Sequence, residues 1–135
     1  MWAKDSQIDP DNLHDELLKI PQLHAKYYTL YNTITLLREK ARETHSKVKL
    51  ERYNYYTGKA DPEVYEEEPF PYKVRDKDAI QRHMDADERL NKIDLKIRYY
   101  DIMLKFLEEI IKTVSNRTFQ IKNAIEWHRF QAGFN

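Results

Sequence analysis

The sequence predicts an all-α protein, a helical hairpin. Two long helices are joined by an acidic, proline-rich loop and preceded by a short N-terminal helix. Three observations point there. The 135 residues include only 2 Gly and 5 Pro, too few for the tight turns of a sheet. Two stretches repeat apolar residues at alternating spacings of 4 and 3 residues, the heptad period of paired helices. Charged residues make up 34% of the chain, enough to solvate long helix faces, while 13% aromatics are too many for disorder. By chain order this divides into a helical region 1–58, an acidic loop 59–75 and a helical region 76–135.

Residues 1–8 read as an arm that Trp2 and Ile8 can pin. Asp9-Pro10 is a helix-start signal, an Asp cap followed by Pro at the first helical position. It predicts a short helix over residues 10–19, ended by Pro21. From Pro21 to Tyr56 neither Pro nor Gly recurs, and Leu23, Tyr27, Leu30, Ile34, Leu37, Ala41, Thr44 and Val48 form the first seam. Gly58 supplies the left-handed stop.

Over 59–74 the Pro residues at 62, 69 and 71 predict an extended loop, with room for one short strand and no regular helix. Helix signals resume at Asp76. A piece over 77–84 either stops at Asp85 or runs on into the second seam. That seam runs from Ala86 through Leu90, Ile93, Ile97, Tyr100, Leu104, Leu107, Ile111, Val114, Thr118 and Ile121 to Ile125. Met103, Phe106 and Ile110 widen its middle beyond what one partner helix readily covers. Self-association is the simplest sink for that area, so Leu104, Phe106, Leu107, Ile110, Ile111, Val114, Ile121 and Ile125 are the expected oligomerisation residues.

The 23 basic and 23 acidic residues cancel overall but not locally. Residues 38–60 hold 7 bases against 3 acids, while residues 61–68 hold 5 acids and no base. Arg38, Arg42, His45, Lys49, Arg52 and Tyr56 follow at spacings of 4, 3, 4, 3 and 4, which places them on one helical face. The face ends in the run Arg52-Tyr53-Asn54-Tyr55-Tyr56-Thr57-Gly58-Lys59. Cations interleaved with flat aromatics suit single-stranded nucleic acid: the cations neutralise phosphate and the rings stack on bases. Arg38, Arg42, Lys49, Arg52, Tyr55, Tyr56 and Lys59 are therefore the expected nucleic-acid-binding residues. The competing reading is a solvated helix face, with Tyr55 and Tyr56 packed against the C-terminal helix. For the acidic loop the readings are a solubilising segment, a repulsive edge to a DNA path, or a dock for a basic partner.

The run from Arg52 to Lys59 also resembles the UvsY family, the recombination mediators of T-even-type phages. Arg52, Tyr55, Tyr56, Thr57, Gly58 and Lys59 stand in that family's R-x-x-Y-Y-[ST]-G-[RK] pattern. Ala86-Asp87, Lys92-Ile93-Asp94 and Tyr99 resemble a second block. Phe119, Ile121, Lys122, Arg129, Phe130, Ala132 and Gly133 resemble the family's tail. One departure stands out: Leu50 occupies the position of a family Lys, with Lys49 one residue earlier and Glu51 intervening. The resemblance implies a ring- or barrel-like homo-oligomer, a hexamer or heptamer, assembled through the C-terminal helix. It implies single-stranded DNA binding, with a RecA-like phage recombinase and a phage single-strand-binding protein as partners. The implied role is to load that recombinase onto covered DNA in recombination and repair, without cofactor or catalysis, in the cytoplasm of the infected host cell. The alternative from another class is a helical scaffold or adaptor that binds only proteins.

Other classes fare worse. Without Cys there is no disulfide, cysteine-ligated zinc, iron–sulfur cluster or thiol nucleophile. No stretch reaches the roughly 20 apolar residues of a membrane span, and the opening residues lack the apolar core of a signal peptide. Two glycines cannot build a phosphate-binding loop. His83 and Asp87 would share a helix face as metal ligands do, but a capped helix start explains the same residues. A metal-dependent nuclease would need a fuller ligand set than that.

Overall fold

The structure, a computed structural model, describes residues 1–133. Five helices follow in order: α1 (Trp2–Asp5), α2 (Leu13–Tyr56), α3 (Pro62–Glu67), α4 (Lys77–Asp85) and α5 (Glu88–Gln131). There is no strand among the described residues. The chain packs as two compact units, and each unit draws on both long helices. Unit 1 comprises Met1–Thr35 and the chain from Ile102 onward, and unit 2 is Leu36–Asp101.

Unit 1 is built on apolar burial. Ile20, Tyr27, Leu107, Ile110, Val114 and Ile121 form its core, flanked by Trp2, Leu13, Leu17, Leu23, Leu30, Tyr31, Ile34, Ile111 and Ile125. This corrects the expected short helix over 10–19 ending at Pro21, because α2 runs through Pro21 unbroken. A proline inside a helix costs about 3 kcal/mol through its missing N–H and its ring clash. Leu13, Leu17 and Ile20 before it and Leu23 and Tyr27 after it all join one cluster. Burying such side chains is worth about 1.5–3 kcal/mol each, which outweighs the break.

The N-terminal arm is pinned as well. The Trp2 ring meets Tyr27 edge-on at 5.4 Å, and the Tyr27 hydroxyl donates to the Asp5 carboxylate at 2.7 Å. Arg117, buried on α5, donates to the Asp5 carbonyl at 2.6 Å. Burial and the bond to Asp5 push the Tyr27 hydroxyl up to about 12.

The start signal at Asp9-Pro10 makes a turn instead of a helix. The Asp9 carboxylate accepts from the Asp11 N–H at 2.9 Å and the Asn12 side chain at 2.7 Å. The turn closes with the Asn12 N–H on the Asp9 carbonyl at 3.2 Å, and α2 begins after Asn12, whose carbonyl accepts from Glu16 N–H. The same signal at Asp61-Pro62 does start a helix, α3, with Pro at its first position. The expected extended loop with a strand over 59–74 is corrected there.

In unit 2, α4 and α5 are separate because Asp87 caps α5, its carboxylate accepting from Leu90 N–H at 3.0 Å. At the end of α2, Lys59 N–H reaches the Asn54 carbonyl at 2.8 Å and Gly58 N–H the Tyr55 carbonyl at 3.4 Å. Those two bonds need the left-handed backbone of Gly58, whose φ is +78°.

Candidate nucleic-acid interface

The expected basic stripe divides into two sets by the direction its residues face. Arg38, His45 and Arg52 turn toward α5 and pair with Asp101, Asp94 and Asp87 at 3.1, 3.0 and 2.6 Å. Each step of seven along α2 is matched by a step of seven back along α5, so the pairs form an antiparallel ladder. The Arg38 and His45 rungs are both part-exposed, and burial is deep only at the last rung. The Arg38 side chain keeps 24% of its surface, and Arg52 and Asp87 keep 6% and 2%.

The last rung is the most elaborate. One Asp87 oxygen accepts from Arg52 Nε at 2.6 Å and from the Tyr56 hydroxyl at 2.7 Å, while the other caps α5. Burial would raise the Asp87 carboxyl, but the bonds from Tyr56, Arg52 and the Leu90 N–H hold it below the usual carboxylate range. Burial works against the Arg52 charge too, and Tyr56 and Asp87 more than offset it, keeping the guanidinium protonated. Its guanidinium lies 4.2 Å from the Tyr55 ring centroid.

The acidic segment is folded onto this rung. Glu68 pairs with Arg52 and with Arg89, and the Tyr55 hydroxyl donates to the Glu68 carbonyl at 2.9 Å. Tyr65 stacks on Tyr55, and Phe70 packs against Tyr55, Tyr56 and His83. Burial pushes the Tyr55 and Tyr56 hydroxyls up. Of the expected DNA-stacking rings, Tyr55 is therefore buried and Tyr56 hydrogen-bonded. The competing reading places these rings against the C-terminal helix; they do pack inside the chain, but against Tyr65, Phe70 and His83.

The second set of the stripe faces outward. Arg42 is exposed and bonded to Glu39 at 2.9 Å, a pair that contributes little in water. Lys49 and Lys59 are exposed and have no ion pair among the described residues. Lys49 lines a groove of about 660 Å³ between α2 and α4. From α2 come Ser46, Lys49, Leu50 and Tyr53, and from α4 come Lys77, Ile80, Gln81 and Met84. Both sets are spaced i, i+3, i+4, i+7, so each is one helix face. Arg75, just before α4, adds a third cation. Sequence reasoning missed Tyr53, Arg75 and Lys77. The i+7 spacing of Tyr53 from Ser46 was legible, but nothing in one dimension brings α4 alongside.

The expected oligomerisation residues are mostly spent inside unit 1. Leu104, Leu107, Ile110, Val114 and Ile121 are buried, and Ile111 and Ile125 pack against the core. The wide seam is thus largely covered within the chain, where α1 and α2 both contribute, and of that set only Phe106 is exposed. Ile102, one turn away, is exposed as well. Among the described residues no group of three or more His, Cys, Asp or Glu is placed to hold a metal. His83 stacks on Tyr56 instead. No described helix is long and apolar enough to cross a membrane.

Known structures share this architecture. Crystal structures of the bacteriophage T4 recombination mediator protein UvsY in lattice types I and II superpose with TM-scores of 0.83 and 0.82, at 22% and 23% identity. Each alignment covers 96% of this chain, with 94% and 91% of the T4 chain. The fold is therefore that of a phage recombination mediator. The sequence carries the assignment further. It is 27% identical over 132 residues to recombination protein uvsY of Enterobacteria phage T4, covering 96% of this chain and 91% of that protein. The family model described as "Recombination, repair and ssDNA binding protein UvsY" matches residues 1–134, and the chain belongs to that family.

Proposed function

We propose that this protein binds single-stranded DNA as a homo-oligomer and helps a RecA-like phage recombinase load onto DNA covered by a single-strand-binding protein. It does so by holding the strand, without catalysis, in the cytoplasm of the infected host. The observation that carries this reading is the outward cationic set of unit 2. Lys49, Lys59, Arg75 and Lys77 stand without carboxylate partners among the described residues, whereas Arg38, His45 and Arg52 are each paired with one. A few cations on one copy bind a strand weakly at physiological salt, and several copies on one strand multiply the effect through effective concentration.

Exposed apolar side chains on α5 support self-association. Unit 1 leaves Ile102 and Phe106 open, and unit 2 leaves Leu95 and Tyr99 open. The paired stripe narrows the DNA-binding set to Arg42, Lys49 and Lys59 from the original expectation. Arg38, Arg52, Tyr55 and Tyr56 then act by holding unit 2 in shape.

The test is a titration of a labelled single-stranded oligonucleotide at several salt concentrations, with a duplex control. Strand-selective binding is expected, and a Lys49→Glu, Lys59→Glu variant should weaken it. Its salt slope should also fall by about 0.7 per lost phosphate contact. Absence of binding at low salt would overturn this reading in favour of a scaffold that binds only proteins.

A further inference from the structure

We infer that the groove between α2 and α4 is a nucleotide subsite, in which a base of the strand stacks on Tyr53 while Lys49, Arg75 and Lys77 hold flanking phosphates. The inference rests on the single-stranded DNA binding proposed above and names where one unit of the strand sits.

Tyr53 differs from the other rings of its run. Tyr55 and Tyr56 are committed to Tyr65, Phe70 and His83. Tyr53 is 43% exposed, makes no ring contact among the described residues and lines the groove. Beside it Leu50, 62% exposed on α2, and Ile80 on α4 give the groove an apolar lining. A half-exposed ring beside an apolar lining is what a base needs to leave water.

The charge around the lining is of one sign. Lys49 lies one helical turn before Tyr53, and Arg75 and Lys77 face it from the other wall, while no carboxylate lines the groove. Several nearby acids are engaged elsewhere, while Asp85 accepts from the Gln81 side chain of the groove wall at 2.7 Å. Glu43 pairs with Lys47, Asp94 with His45, Asp87 with Arg52, and Glu68 with Arg52 and Arg89. Glu51, Asp76 and Asp78 adjoin these cations in sequence, and none of them lines the groove. A volume of about 660 Å³ falls within the range of sites that enclose a small ligand. Double-stranded DNA keeps its base faces stacked, so a site that takes a base by its face selects single strands.

The test compares an oligothymidylate with a chain of the same length made of abasic sugar phosphates. It uses the whole protein, Tyr53→Ala, and Arg75→Glu with Lys77→Glu. These side chains are exposed and hold no ion pair among the described residues, so helicity by circular dichroism should match the parent protein. Tyr53→Ala should weaken oligothymidylate binding about 10-fold, within the range for one lost base stack, and leave abasic binding unchanged. The charge-reversed variant should weaken both ligands. Parent protein that binds neither ligand would overturn the single-strand reading itself. Equal oligothymidylate binding by the parent and both variants would overturn only the groove. Poly-glutamate is titrated into the same proteins as a third ligand, and its loss in the charge-reversed variant, with DNA binding intact, would make the groove an acidic-peptide site and equally overturn the inference.

Discussion

Units 1 and 2 pair the same two helices by different means. In unit 1 the facing positions are apolar, with Ile20 and Tyr27 of α2 clustered with Leu107, Ile110, Val114 and Ile121 of α5. In unit 2 the facing positions include Arg38, His45 and Arg52 against Asp101, Asp94 and Asp87. Apolar burial is non-directional and tolerates a slipped register, whereas a slip of one heptad in unit 2 would leave end charges without partners. Unit 1 therefore supplies apolar affinity between the helices, and the ladder of unit 2 fixes their register. Arg52 is thus tied inward, while Lys49 and Lys59 on either side of it in sequence are exposed.

The largest expected effect tests the last rung. Asp87→Ala removes the partner of a buried guanidinium and the cap of α5, and should cost about 3–5 kcal/mol for the broken pair alone. Urea unfolding followed by circular dichroism measures it. A cost under about 1 kcal/mol would mean the rung is solvated and the contrast between the units is false.

In unit 1 the corresponding change is Leu107→Ala, expected to cost about 2–5 kcal/mol through lost burial and the cavity left behind. The same unfolding series reads it. The double replacement Arg52→Met, Asp87→Leu sharpens the comparison. Against Asp87→Ala it should recover much of the lost stability, because an apolar pair leaves no buried charge unpaired.

Acid separates the rung from the rest of unit 2. The folded-state pKa of Asp87 lies below the ordinary carboxylate value, so its stabilisation is present above that value and fades as pH falls through the folded one. Asp87→Asn should flatten the fall in stability between about pH 5 and pH 2. Urea midpoints measured across that range test it, and an unchanged slope would place the acid sensitivity elsewhere.

The smallest effect belongs to the partly exposed first rung. Arg38→Met should change stability by about 0–1 kcal/mol, because its pair with Asp101 is open to solvent. A cost near that of Asp87→Ala would show that the ladder acts as one network.

Much of this was legible in the residues. Gly58 as a left-handed stop, the piece over 77–84 and most of the two seams follow from local chemistry, although Leu37, Thr44 and Ala86 of those seams are exposed. Proline was the weak sign. Pro21 reads as a break because its cost is local, while the burial that offsets it comes from Leu107, Ile110 and Val114, more than 80 residues away. Asp9-Pro10 and Asp61-Pro62 carry the same dipeptide. Only the structure distinguishes them: the chain after Asp9 makes a turn, whereas α3 continues from Pro62 to Glu67.

The sequence by itself determined that the chain is helical, that its helices pair along heptad seams, that cysteine chemistry is absent, and that its motifs resemble the UvsY family. Only the tertiary structure decided which cations face out. Arg38, Arg42, His45, Lys49 and Arg52 share one stripe in sequence, and a residue beside a seam turns inward or outward according to what its partner helix presents. Those partners, Asp101, Asp94 and Asp87, lie 35 to 63 residues along the chain. Periodicity measures direction around one helix axis, whereas burial depends on the register between two.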